Sequence, residues 1–282
     1  MRMEGELLAG SAVSYRKARL RTGAEVDVGI MTGSWTLPAA RGQGCFTRAI
    51  LESVKLTESR EGALLLAYVT EANASSRRLV AAGSGLFPTR YVFSTDETPA
   101  AREDAPPAFV AKDSEKALSR MAERLEHQRE GCFRMWFPSL EALRGQVLER
   151  PGEAVVLLEH GEGGRLGHSV VETSTGSDRI QLLAPAEPAS LQPCLESLLA
   201  RAQDGGRQLF LFSSSPDEDA RFRALGLTVK PGFLTALVAD AVRLGRALGV
   251  ETPWESGDST PLSRPESPWF LGSAAVQSGE RM

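Results

Sequence analysis

The stretch Arg41-Gly42-Gln43-Gly44-Cys45-Phe46-Thr47 lies between a predicted strand and a predicted helix. A glycine-broken turn that runs into a helix leaves several backbone N–H groups at the helix start without an acceptor. Those groups and the positive end of the helix dipole together favour an anion. Gly42 and Gly44 carry no Cβ, so a diphosphate can approach the main chain, and Arg41 adds a permanent positive charge. The stretch therefore predicts a site for a phosphorylated carrier.

The flanking segments support this order of strand, loop and helix. Residues Ala24 to Leu37 have the character of a strand, and Pro38 ends its ladder pairing. The apolar residues after Cys45 fall on one helical face: Phe46, Ile50, Leu51 and Val54. A second apolar strand spans Ala63 to Val69, and a further helix is predicted to begin near Asn73.

Together these residues resemble the GNAT superfamily of acyl-CoA-dependent acyltransferases. The family's pyrophosphate signature reads Arg/Gln-x-x-Gly-x-Gly/Ala; Arg41 and Gly44 match it, whereas Phe46 departs from it at the last position. Thr36-Leu37-Pro38 is similar to the family's strand-to-loop junction. The resemblance covers roughly Gly10 to Phe93, and its spaced elements agree in order.

The resemblance implies that this region binds an acyl-CoA cosubstrate, most simply acetyl-CoA. Asn73 and Ser76 look like the family's second CoA-contacting motif. The binding residues that the resemblance implies are Ser34, Thr36, Leu37, Arg41, Gly42, Gln43, Gly44, Cys45, Phe46, Thr47, Asn73 and Ser76. The family transfers the acyl group directly, so Cys45 is interpreted as a small loop residue rather than a nucleophile.

The catalytic groups are less clearly marked. The family often has a tyrosine about seven residues after the Asn73 equivalent, to protonate the leaving thiolate, and here Val80 stands at that position. Substitutes for this acid are Tyr91, Tyr68 or Ser76, and water is a further source of the proton. Carboxylates that could accept the amine's proton, since burial in an apolar groove raises a carboxyl pKa, are Glu25 and Glu71.

Composition and charge narrow the partners. A net charge of −4 gives no electrostatic footprint for nucleic acid or an anionic membrane. No apolar run approaches about 20 residues, and the first residues show no signal peptide. The three cysteines have neither paired nor metal-binding spacing, which predicts no metal and a reducing cytoplasm.

The chain is long enough for two domains, and its pattern of elements occurs twice. We expect an α/β (α+β) fold of two tandem GNAT-like domains, with mixed central sheets flanked by helices. The first domain, 1–105, begins with strands Glu6 to Val13 and Ala24 to Leu37. It lacks the strand and two helices that the resemblance implies before them. Either the start is truncated, or another segment or subunit takes their place.

A second GNAT-like domain is expected over 106–240, after a linker rich in Pro, Ala and charge. Its predicted helices include Ser114 to Glu130, Ser139 to Leu148 and Asp217 to Leu225. The matching junction, 182–188, has two prolines and an acid in place of the glycines and arginine, so we expect no acyl-CoA there. Residues 241–282 are expected to form a helix and an irregular tail that Trp254, Trp269 and Phe270 could anchor.

Two functions remain open. In the first, the protein is an N-acyltransferase, most simply an acetyltransferase, that acts on a small-molecule or peptide amine in a groove between the halves. In the second, the tandem fold is a non-catalytic acyl-CoA binder or interaction module, as Val80 and the incomplete first domain favour. Neither the acceptor nor assembly into a homo-oligomer is decided by the sequence.

Overall fold

The computed structural model describes residues 2–3, 6–71, 73–149, 154–213, 218–254 and 257–275. Its strands are β1 (Arg2–Met3), β2 (Glu6–Leu7), β3 (Ala9–Arg19), β4 (Glu25–Thr36), β5 (Leu64–Thr70), β6 (Gly85–Phe93), β7 (Ala108–Val110), β8 (Arg134–Trp136), β9 (Ala154–His160), β10 (Gly167–Thr173), β11 (Ser177–Pro185), β12 (Gln208–Ser213) and β13 (Thr228–Val238). Its α-helices are α1 (Cys45–Ser59), α2 (Ala74–Ala81), α3 (Ser114–Gln128), α4 (Leu140–Val147), α5 (Leu191–Asp204), α6 (Asp219–Ala224) and α7 (Ala241–Leu248).

Eleven of these strands form one mixed sheet in the order β7-β9-β10-β11-β12-β6-β13-β5-β4-β3-β8. Two neighbouring pairs are parallel, β4 with β5 and β11 with β12, and the other neighbours are antiparallel. Helices pack on both faces. The predicted α/β class, with mixed sheet structure flanked by helices, is confirmed. Within the described ranges, none of the helices has the length and apolar character needed to cross a bilayer.

The centre of the sheet mixes strands from the two predicted halves. β6 pairs with β12 of the second half, in the register Tyr91 with Phe212. β13 enters between β5 and β6, so that Leu234 lies opposite Tyr68 on one side and Phe87 on the other. Each half thus completes its sheet with a strand of the other half. The sequence predicts two sheets, and the structure joins them into one.

The predicted hairpin at the start of the first half is present, and it turns at Arg21-Thr22-Gly23, where Leu20 N–H donates to the Ala24 carbonyl over 2.8 Å. The predicted extent of its first strand, Glu6 to Val13, is wrong, because β3 continues to Arg19. The later half of β3 is polar and partly faces solvent, so it lacks the apolar pattern that marks a buried strand.

The C-terminal segment covers one face of the first half. Alternation along β5 sends Leu65 and Val69 towards α1 and α2, and Leu64 and Leu66 to the opposite face. That opposite face packs against residues of α7 and of the segment that follows it: Leu244, Leu248, Leu262, Trp269 and Leu271. The C-terminal segment of this same chain therefore covers one face of the first half's sheet.

The second half and the tail follow most of the predicted pattern. The predicted helix from Ser139 appears as α4, with the Ser139 hydroxyl capping it by accepting from Ala142 N–H. Of the helix predicted over Asp217 to Leu225, Asp217 lies outside the described residues, and α6 spans Asp219–Ala224 with Glu218 and Leu225 as its flanking residues. In the tail, Trp254 and Trp269 meet edge to face with ring centroids 4.7 Å apart, whereas 255–256 and 276–282 lie outside the described residues.

Candidate functional site

The parallel strands β4 and β5 separate towards their carboxyl ends. Their pairing runs from Val28 opposite Leu64 to Met31 opposite Ala67 and then stops, although both strands continue. Just beyond this point the register between β3 and β4 shifts, which leaves Gly33 and Ser34 opposite the single residue Ser11. Such a bulge bends its strand, and Gly33 adopts the left-handed φ of +57°. The bulge therefore turns β4 away from β5 and opens a cleft inside the sheet.

Two adjoining cavities occupy this region. The smaller, of 210 Å³, lies in the cleft and is lined by Met31, Thr32, Gly33, Ser34, Phe46, Ala67, Tyr68, Val69, Asn73, Ser75 and Leu79. The larger, of 520 Å³, lies over the loop and is lined by Ser34, Trp35, Thr36, Ala40, Arg41, Gly42, Gly44, Cys45, Phe46, Thr47, Ala74, Ser75 and Arg78. Because Ser34, Phe46 and Ser75 line both, the cavities form one path from the loop into the sheet.

The loop has the geometry of an anion site. After a 3-10 turn at Pro38–Ala40, Gly42 and Gly44 have φ values of +83° and +75°, and α1 begins directly after Gly44. The amides of Ala40, Arg41 and Gln43 bond within the turn. Across the described chain, no acceptor bonds five other amides of the loop and first helical turn, which belong to Gly42, Gly44, Cys45, Phe46 and Thr47. These amides and the dipole of α1 can hold a diphosphate.

The charges around the larger cavity favour the same ligand. Arg41 from the loop and Arg78 from α2 both line it and are exposed. Neither forms an ion pair with any acidic side chain in the described ranges. The described lining contains no Asp or Glu, and the first turn of α1 carries no acid. Two unpaired guanidinium groups thus face the cavity.

Some of the predicted binding residues do not reach either cavity. Leu37 precedes the 3-10 turn and donates its amide to the Leu8 carbonyl, and the Gln43 side chain donates to the Ala39 carbonyl over 3.1 Å. Ser76 is buried, and its hydroxyl donates to the Thr70 carbonyl. These residues hold the loop and the start of α2 in shape. Cys45 lines the larger cavity but is buried, with its thiol 3.5 Å from the Ala40 carbonyl.

Asn73 both caps helix α2 and lines the smaller cavity. Its side-chain oxygen caps α2 by accepting from Ser75 N–H over 2.9 Å, and the residue lines the smaller cavity. This leaves its amide NH2 group at the cavity as a donor.

The candidate catalytic residues are not all brought together. Tyr68 lines the smaller cavity, and its ring meets Phe212 edge to face at 5.2 Å. Tyr91 meets Phe212 at 5.2 Å on the same sheet face as Tyr68, but it lines neither cavity. Glu25 begins β4, whereas the loop follows its end, so roughly 35 Å of strand separates them. The structure pairs Glu25 with Arg19 at 2.7 Å instead.

Sequence reasoning did not single out five lining residues of the larger cavity: Trp35, Ala40, Ala74, Ser75 and Arg78. Trp35 lies between Ser34 and Thr36, both of which the resemblance did assign. Arg78 lies one helical turn beyond Ala74, which places it on the same side of α2. The sequence shows the position of each of these two residues within its element. Only the packing of β4 beside α2 shows that Trp35 and Arg78 line one cavity.

The matching junction of the second half differs from the loop before α1 in its amides. β11 and β12 also stop pairing, after Arg179 opposite Phe210. In the following loop the Ala186 amide donates to the Leu166 carbonyl over 2.8 Å, and the Ser190 amide to the Glu187 carbonyl over 2.9 Å. The prolines there have no amide N–H. Among the described residues of this junction, two amides are thus bonded within the protein and two positions have no amide N–H.

Two histidines of the second half, His160 and His168, are fully buried. His160 lies between the hydroxyls of Ser197 at 3.1 Å and Ser169 at 2.8 Å. The Arg124 guanidinium donates to His168 Nδ1 over 2.8 Å. Burial, with the charge of His168 second, lowers the pKa of His160 to about 4, and burial, with Arg124 next, lowers that of His168 to about 4. No group of His, Cys, Asp and Glu in the described chain could hold a metal ion.

Comparison with known proteins identifies the fold. No protein-family profile and no curated protein sequence matches this chain. A GCN5-related N-acetyltransferase from Anabaena variabilis superposes with a TM-score of 0.56 at 13% identity, over 87% of this chain and 63% of that one. A tandem GNAT protein from the clavulanic acid biosynthesis pathway gives 0.53 at 13% identity, over 85% and 81%.

Saccharomyces cerevisiae N-myristoyltransferase with bound myristoyl-CoA gives 0.59 at 11% identity, over 83% of this chain and 67% of that one. This chain spans 60–63% of the length of the first three structures it matches. At these identities the likeness establishes the fold alone, which is that of the GNAT superfamily in tandem form.

Proposed function

We propose that this GNAT-fold chain is an acyl-CoA-dependent N-acyltransferase that transfers the acetyl group of acetyl-CoA to an amine. The observation that carries the proposal is one continuous path. Unbonded amides at the start of α1 face a cavity that adjoins the cleft between β4 and β5. A diphosphate held at the loop would direct the attached pantetheine arm into that cleft. Holding the thioester and the attacking amine next to each other in this way supplies much of the rate enhancement of acyl transfer.

Within this proposal the loop residues hold the donor. The amides of Gly42 and Gly44 and those of the first helical turn bind the diphosphate, and Arg41 adds a charge-assisted contact. Asn73 is placed to donate to the pantetheine arm in the cleft. Because the thioester is already activated, the remaining steps are attack by the amine, stabilisation of the oxyanion and departure of the thiolate.

Tyr68 is the candidate acid that the geometry favours. It lines the cleft, whereas Tyr91 lines neither cavity and the Ser76 hydroxyl is bonded to a carbonyl. Val80, the position of the family's usual tyrosine, is exposed and has no proton to give. Tyr68 would protonate the thiolate of CoA as it leaves. Glu25 is not proposed as the base, because the structure separates it from the cleft.

The acceptor is proposed to be a small-molecule or peptide amine, with residues 1–105 holding the donor and residues 106–240 and 241–282 supporting it. The cysteines Cys45, Cys132 and Cys194 are all free, which supports the proposal of a cytoplasmic location. A homo-oligomer is not required, since the donor path described above lies within one chain.

A non-catalytic acyl-CoA binder is the second candidate, and Val80 favours it. The test is to titrate the protein with acetyl-CoA by calorimetry, then incubate both with polyamines, amino sugars and peptides while following free thiol. We expect saturable binding and thiol release that one amine class accelerates, with a slower rate for Tyr68→Phe. Absence of binding would overturn both candidates, and binding without accelerated thiol release would favour the second.

A further inference from the structure

The larger cavity carries an aromatic wall that acyl transfer itself does not need. Trp35 lines it with 41% of its surface exposed, although large aromatic side chains are usually covered. Its cross-strand partner is Gly10, where a Cβ would lie 2.8 Å from the indole Nε1 and 3.0 Å from Cε2. The absence of a side chain at Gly10 thus lets the indole lie against the backbone of β3. The ring is supported on one side and remains accessible on the other.

The larger cavity is lined by a second arginine, Arg78, besides the arginine of the loop. Arg41 belongs to the loop that faces the diphosphate, whereas Arg78 belongs to α2 on the other side of the cavity. Both guanidinium groups lack an ion-pair partner among the described residues. A planar guanidinium binds a phosphate through two parallel hydrogen bonds. Arg78 is therefore placed to bind a second phosphate, separate from the one at the start of α1.

The size of the cavity agrees with a nucleotide. Its volume is 520 Å³, against 210 Å³ for the cleft that would hold the narrow pantetheine arm. Pockets for whole small molecules lie in the range of about 300–1,000 Å³. An aromatic ring beside two cations provides stacking for a base and ion pairs for its phosphates.

We propose that Trp35 stacks on the purine of the donor and that Arg78 binds the phosphate on its ribose. This inference rests on the proposed function, in which the donor is a CoA thioester. It assigns the two residues that bind the nucleotide portion of CoA. The consequence is a donor preference. The protein takes free CoA thioesters and discriminates against dephospho-CoA, which lacks the ribose phosphate, and against a phosphopantetheine arm that carries no nucleotide.

The test compares CoA, dephospho-CoA and phosphopantetheine as ligands of the full chain by calorimetry. The wild type is expected to bind CoA roughly tenfold more tightly than dephospho-CoA, and Arg78→Gln to bind both equally weakly. Arg77→Gln is the matched control, because Arg77 is the exposed neighbour on α2 that does not line the cavity. It is expected to retain the wild-type preference.

Trp35→Leu is expected to weaken CoA and dephospho-CoA alike by roughly tenfold. CoA should quench part of the wild-type tryptophan fluorescence, and this quenching should vanish in Trp35→Leu while Trp136, Trp254 and Trp269 remain. Equal affinity of the wild type for CoA and dephospho-CoA, or wild-type affinity of a folded Trp35→Leu for CoA, would overturn the inference alone. A wild type that binds no CoA at all would overturn the proposed function and the inference with it.

Discussion

Gly42 and Gly44 are required by the backbone rather than by crowding. Both have positive φ, which costs an L-residue about 1–2 kcal/mol, yet a Cβ at either position would meet no atom within 4 Å. Both glycines also line the larger cavity. A substitution here therefore acts in two ways, by straining the turn and by occupying the ligand's place.

Gly44→Glu should abolish acetyl-CoA binding, because it adds both bulk and a negative charge at the amides that would hold the diphosphate. Gly23→Glu is the matched control: Gly23 has φ of +85° and open space around its Cβ, but it lies in the hairpin turn far from the loop. Calorimetry should show wild-type affinity for the control. Unchanged affinity of Gly44→Glu would contradict the site assignment.

His160 and His168 show a different single-residue effect, because burial keeps both neutral in the folded chain. The charged groups around them are Glu159, at 3.8 Å from His168 Nε2, and the guanidinium groups of Arg124 and Arg120. Protonating either imidazole here would bury a new positive charge beside existing ones. The folded protein therefore resists a proton that the unfolded chain accepts.

We expect the free energy of unfolding to fall as pH decreases from 7.5 to 5. The pKa of both histidines lies near 4 when folded, against 6.5 ordinarily, so the unfolded chain binds more protons in this window. The full effect is roughly 3 kcal/mol for each histidine, reached only near pH 4. Urea unfolding at several pH values measures the slope, which His160→Gln and His168→Gln should flatten. His127→Gln, at an exposed histidine of α3, is the matched control.

At the scale of elements, α7 and the segment after it act as the cover of the first half's sheet. Leu244 on α7 is fully buried against strands β3, β4 and β5 through the cluster that also holds Trp269. On the same helix Val242 is 73% exposed. The same helix therefore offers one buried and one exposed apolar side chain for comparison.

Leu244→Ala should lower the free energy of unfolding by about 2–5 kcal/mol, since it removes buried methyl groups and leaves a cavity. Val242→Ala should change it by less than about 0.5 kcal/mol. Urea denaturation followed by circular dichroism measures both. Equal, small effects would mean that the C-terminal segment does not cover the sheet in solution.

At the scale of the whole molecule, local pattern predicted the elements but not how the halves share them. The glycine-broken loop and the hairpin at Arg21-Thr22-Gly23 follow from short-range chemistry, and both were predictable. The placement of β13 between β5 and β6 was not, because its alternating apolar residues would suit either half. The burial of His160 and His168 does not follow from local pattern either, because the glycines between them indicate a turn and only packing against α3 and α5 buries them.

The shared centre predicts that both halves unfold together. β6 pairs on one side with β12 and on the other with β13, so loss of either half would leave strands of the other without partners. Buried Cys45 reports on the first half and buried Cys194 on the second, once the partly exposed Cys132 is replaced by serine. In urea, both thiols should become reactive at one midpoint.

Leu244→Ala, whose site is in the first half, should lower the midpoint of Cys194 as much as that of Cys45, and Val242→Ala should move neither. Two separate midpoints would show that the halves fold independently, and a drop confined to Cys45 would show that the strand exchange does not couple them.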